Sequence, residues 1–137
     1  MVYLFTEEWE VNTKYRQNSL SSQERAAPPE TKLDVLKRIW EATLPHRKLI
    51  IRGGKVEAQS PGDAAVPYSG SQMSDGERVI FYLIGQALSA PQSGIIIKDE
   101  PEIHLHKAVQ SRLWDSIQAQ RPDCLFVYLT HDVQHPA

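Results

Sequence analysis

The chain has a single cysteine, Cys124, so no internal disulfide can brace it, and an intracellular, reducing setting is the simplest reading. Long hydrophobic runs are missing as well. The longest, residues 79–84, is far too short to cross a bilayer, and no signal-peptide pattern precedes it. We therefore expect no membrane partner and a cytoplasmic location. Neither charge is in surplus: 15 Lys and Arg stand against 17 Asp and Glu, a net charge of −2. That balance excludes a global field drawing the chain onto nucleic acid or acidic lipid. No internal repeat is visible. What the 137 residues do contain is 41% hydrophobic side chains, enough for one core and concentrated in the second half.

Residues 94–106, G-I-I-I-K-D-E-P-E-I-H-L-H, organise the rest. Ile95, Ile96 and Ile97 form a β-branched run that fits a fully buried strand. Asp99 and Glu100 arrive where that strand should end, and Pro101 closes it by lacking a backbone donor and disfavouring helix before it. Two acids at the carboxyl end of a buried strand are costly without positive charge opposite. A metal ion or a phosphate–Mg²⁺ complex is the usual counter-charge, the arrangement called Walker B in nucleotide hydrolases.

Along the chain, residues 1–29 are expected to be a poorly defined N-terminal segment. Trp9, Val11 and Tyr15 recur weakly, and residues 18–29 are polar and linker-like. Residues 30–137 form the folded unit. Leu33, Leu36, Trp40 and Leu44 predict a helix over 30–44, stopped by Pro45. Residues 48–58 hold two strand-like runs around Gly53-Gly54, a hairpin signal because both turn positions can take positive φ. The Gly-Gly-Lys there is not a phosphate loop, since Val56 follows the lysine and Leu49 stands where Gly-x-x-x-x-Gly-Lys-Ser/Thr needs its first glycine. Residues 60–70 read as loop. Ser74 with Glu77 before an apolar run is a capping box, in which each side chain satisfies an orphan amide of a buried helix ending near residues 89–91. A helix N-terminus with a hydroxyl and Gly76 is also a ready anion site. Leu105, Val109, Leu113 and Ile117 predict an amphipathic helix to Gln120, and residues 124–129 a second strand ending at His131. Strand, helix and strand make a βαβ unit with parallel strands, and open α/β sheets place ligands at the carboxyl edge.

In that order the motifs resemble those of ABC-type ATPase heads. Residues 73–78, M-S-D-G-E-R, are similar to the signature motif, 95–100 to Walker B, 101–106 to the D-loop, and His131 to the switch histidine. The spelling D-E-P-E-I-H-L-H is closest to the soluble AAA/ABC-type ATPases of the RecF, SMC and OLD group. Asp75 stands where that motif often has glycine. The resemblance implies an α/β fold, a partial P-loop NTPase head in which the parallel βαβ unit is joined by a β-hairpin and flanking helices. It implies ATP and Mg²⁺ as cofactors, with Asp99 holding Mg²⁺ through water, Glu100 polarising the attacking water and His131 touching the γ-phosphate. Ser74, Gly76 and Glu77 would contact nucleotide bound to another protomer, and Glu102 would lie in the D-loop. No Walker A motif occurs in the sequence. The chain alone is therefore expected to be a poor nucleotide binder without ATPase activity. Its partner would be a second copy or an intact head supplying Walker A, with nucleic acid or an effector reached through other regions.

Two other readings remain open on the residues. One is a non-catalytic split or degenerate head that only dimerises. The other is a metal-dependent hydrolase built on Asp99, Glu102, His104, His106 and His131.

Overall fold

The computed structural model describes residues 2–21, 27–62, 65–99 and 105–129. It begins with helix α1, Val2–Ser21, where the sequence suggested a poorly defined segment. Nothing between its ends is glycine or proline, so little opposes helix there. Its apolar stripe is weak because tertiary contact is made chiefly by Leu4, which is buried, while Trp9 is exposed. Lys32 ties the helix down, pairing with Glu7 at 3.1 Å and lying 5.2 Å over the Tyr3 ring. Part of the expected linker is thus helical, and residues 27–30 are irregular.

Helix α2, Lys32–Thr43, starts at a capping box. Thr31 Oγ1 accepts from the Asp34 amide at 3.2 Å, and the Asp34 carboxylate accepts from the Thr31 amide at 2.9 Å. Its Leu33, Leu36, Ile39 and Trp40 form the centre of the core. Leu44 closes the helix ahead of Pro45, as expected. Strands β1, Lys48–Arg52, and β2, Lys55–Gln59, then form the antiparallel hairpin, with Gly53 and Gly54 at φ 54° and 75°. Both values lie in the left-handed region that glycine enters without strain. The loop expectation for 60–70 missed strand β3, Tyr68–Ser69, which pairs with Ala58 and Glu57 on β2.

Helix α3, Asp75–Ser89, buries Ile80, Leu83, Ile84, Ala87 and Leu88. Strand β4, Ile95–Asp99, helix α4, Lys107–Gln120, and strand β5, Leu125–Leu129, follow. β4 and β5 pair in parallel, from Ile95 beside Leu125 to Asp99 beside Leu129. The expected βαβ unit is present in an α/β fold.

β4 is not buried on both faces. Ile96, Phe126 and Tyr128 pack on the core, whereas Ile95 and Ile97 are each 65% exposed. The reason is geometric: successive side chains alternate faces, and among the described residues only one face of this two-stranded sheet is covered. On that face Trp114 of α4 meets Tyr128 edge-on at 5.5 Å. The guanidinium of Arg121, after α4, donates to the carbonyls of Ala87, Ala90 and Pro91 at 2.7–2.9 Å and to Asp123, binding the end of α3 to the start of β5.

Candidate functional site

The start of α3 carries the site. Ser74 is the N-cap: its Oγ accepts from the Glu77 amide at 3.3 Å, while Glu77 Oε2 accepts from the Ser74 amide at 2.8 Å. The capping box read from the sequence is therefore present. The Glu77 carboxylate does more than close it. Oε1 also accepts from Arg47 Nε at 3.0 Å and from the Tyr68 hydroxyl at 2.8 Å. The backbone carbonyl of the same residue accepts from Trp40 Nε1 at 3.2 Å. Glu77 is 8% exposed, a buried charge matched by donors from three other parts of the chain.

Burial alone would push the Glu77 carboxyl up. The bonds from Ser74, Tyr68 and Arg47 outweigh it and hold the group below the ordinary carboxylate range, so it is ionised at neutral pH. Burial and the Glu77 acceptor push the Tyr68 phenol up, so it remains a protonated donor. Asp75, by contrast, turns outward. Its side chain is 86% exposed and pairs with Arg78.

A cleft of about 520 Å³ opens in front of this helix start, bordered by Arg47, Ser74, Gly76, Glu77, His106 and Arg112. Of its side chains, Arg47 is committed to Glu77, its single acid, which leaves Arg112 as the further cation of the lining. Leu105 lies across it, and a Cβ added at Gly76 would meet Leu105 Cδ2 at 3.8 Å, an ordinary contact. His106 is the N-cap of α4, its Nδ1 accepting from the Ala108 amide at 3.4 Å. Two helix starts thus border one cleft beside Arg112, and helix N-termini with a cation near them suit an anion such as a phosphate.

The structure brings Ser74, Gly76, Glu77 and His106 together around this cleft. Asp99 stands apart from its lining, exposed at the carboxyl end of β4. An exposed carboxylate at a strand end is a donor of the type hard divalent cations take. Glu100, Glu102, His104 and His131 lie outside the described residues. Among the described residues no group of three or more His, Cys, Asp or Glu could hold a metal ion. Sequence reading missed Arg47 and Tyr68, which stand 30 and 9 positions from Glu77. No local pattern signals partners so far apart, because it is the fold that brings them together.

Comparison with known proteins follows this geometry. A family model described as "AAA domain, putative AbiEii toxin, Type IV TA system" matches residues 6–134. No curated protein matches. Among solved structures, one from work on ATP-driven dimerization and DNA-stimulated activation of SMC ATPases is 20% identical, with a TM-score of 0.48. That match covers 72% of this chain and 65% of the other. An SmcHead bound to the C-winged helix domain of ScpA is also 20% identical, with a TM-score of 0.49, covering 72% of this chain and 34% of the other. The chain spans less than two thirds of either structure's length.

Proposed function

The chain belongs to this AAA-domain family, and we propose that it works as the signature-bearing part of an ATPase head that closes on ATP held by a partner. The observation that carries the reading is the α3 start. Ser74 and Gly76 border a cleft that Arg112 also lines, while the one acid there that could repel a phosphate, Glu77, is engaged by protein donors. Ser74 and Gly76 would meet the terminal phosphate of the partner's nucleotide, and Glu77 would hold that turn in place. Asp99, at the end of β4, would hold Mg²⁺ through water. The ion supplies charge neutralisation of the phosphates when bound. Glu100 follows it in sequence and is suited to orient and deprotonate a water, and His131 after β5 to donate to a phosphate oxygen. Glu102 belongs to the loop between them.

The lysine-bearing phosphate loop must then come from another polypeptide segment, as this sequence contains none. The partner is a second head of the same family, and closure of the pair would drive an attached activity. The test mixes this chain with an AAA-domain head carrying Gly-x-x-x-x-Gly-Lys-Ser/Thr and follows association by analytical ultracentrifugation. ATP with Mg²⁺ should promote a complex, and Ser74→Arg should abolish it while the partner still binds ATP. Failure of ATP to promote any complex, or indifference to Ser74→Arg, would overturn the reading.

A further inference from the structure

The bonds around Glu77 assign a task to parts of the molecule that carry no recognised motif. Arg47 lies in the connection between α2 and β1, and Tyr68 lies on β3, which pairs with the hairpin strand β2. Both converge on Glu77 Oε1, and the other oxygen of that carboxylate receives the Ser74 amide. The first turn of α3 is therefore gripped from outside the helix. We propose that Arg47 and Tyr68 are positioning residues for the phosphate of the partner's nucleotide, holding Ser74 and Gly76 in register through Glu77. The inference rests on the function proposed above.

A capping box needs only Ser74 and Glu77, and many exposed helix starts use no more. Left to itself, the Glu77 side chain could leave the Ser74 amide at little cost and rotate into the cleft, placing a negative charge where a phosphate must enter. Two donors on Oε1 remove that freedom. The phenol and the guanidinium each bond to a charged acceptor, the stronger class of hydrogen bond. Trp40 fixes the backbone of the same residue from α2, so side chain and main chain are held by different elements. The carboxylate at the cleft wall is thereby held by protein donors, with Arg112 the further cation of the lining. The small antiparallel sheet thereby acquires a purpose. It carries Tyr68 to the signature helix, with the Gly70 position closely packed against Val56 of β2, where an added Cβ would lie 3.4 Å from the Val56 carbonyl.

The experiment measures ATP-driven association with the phosphate-loop-bearing head for wild type, Tyr68→Phe, Arg47→Met and Arg47→Lys, well below each melting temperature. Tyr68→Phe, which removes one oxygen and no volume, should weaken the ATP-dependent complex about tenfold, the scale of a bond to a charged group. Arg47→Met should do at least as much, and Arg47→Lys should recover part of the loss by restoring a cation. Hydrogen exchange on the chain alone supplies a second readout. The amides of Asp75, Gly76 and Glu77 should exchange faster in Tyr68→Phe, with those of Ile84 unchanged. Arg121→Met, which strips carbonyl bonds from the far end of α3, controls for lost stability and should leave ATP-driven association as it was. Tyr68→Phe and Arg47→Met associating like wild type, while Ser74→Arg still abolishes the complex, would overturn the positioning role alone. Loss of ATP dependence in the wild type, or association unaffected by Ser74→Arg, would overturn the function and the positioning role together.

Discussion

The body around Trp40 and the β4–β5 pair are both rich in branched apolar residues, yet they are finished to different degrees. In the body, α2, α3 and the hairpin close on side chains that are fully buried, and the polar groups among them have partners: Trp40 donates to Glu77, and Glu77 accepts from three donors. In the parallel pair, Ile95, Ile97, Leu125 and Leu129 are 51–65% exposed, and the indole N–H of Trp114 beneath it lacks a hydrogen-bond partner among the described residues. Parallel sheets are ordinarily covered on both faces. The difference teaches that apolar composition sets which segments can be buried, whereas the number of packed layers sets which ones are. It also locates the stability of the chain in the part that shapes the start of α3, away from the strand that carries Asp99.

The sharpest way to break this comparison is to empty the body. Trp40→Ala removes a side chain with no exposure and the indole bond to the Glu77 carbonyl, so it should cost about 3–5 kcal/mol, read as a fall in the urea midpoint. A loss below about 1 kcal/mol would mean that the body is not the stable part. Acid sharpens the comparison next. The Glu77 carboxyl is held below its ordinary range in the folded chain, so its contribution is fully present above the unfolded value. That contribution is lost as pH falls through the folded one. Stability of the wild type should therefore drop on acidification below about pH 4.3, the unperturbed glutamate value. Glu77→Gln should start less stable at neutral pH and lose less over that interval, measured by urea unfolding at several pH values. The smallest effect is expected on the open face. Ile97→Ser should change stability by no more than about 0.5 kcal/mol, as at an ordinary surface position. A loss of several kcal/mol there would show that something covers the face in solution.

Much of this architecture was legible because it is local. Gly53-Gly54 announced a two-residue turn since only glycine enters both left-handed positions freely. Ser74 and Glu77 announced a helix start because capping works across three residues of one chain. Ile95 to Asp99 announced a strand and its end. Other features had no local signature. Helix α1 lacks a clear apolar stripe because Leu4 alone does most of its burial, and the Lys32 pair that anchors it lies far along the chain. Tyr68 looked like part of a loop, since a two-residue strand is defined by its partner and not by periodicity. Ile95 and Ile97 looked buried because three isoleucines in a row read alike whichever face is covered.

The sequence by itself determined the order of the elements, the turn, the helix starts, and the chemical types brought to strand ends and to the α3 start. These depend on backbone preferences and on contacts a few residues apart. Only the tertiary structure decided that Glu77 would be bound by Arg47 and Tyr68, that Asp75 would turn to solvent, that His106 would border the same cleft as Ser74, and which face of β4 would be covered. Each of these outcomes depends on which distant elements are neighbours. Neighbourhood is set by how layers pack, and no spacing within one segment encodes it.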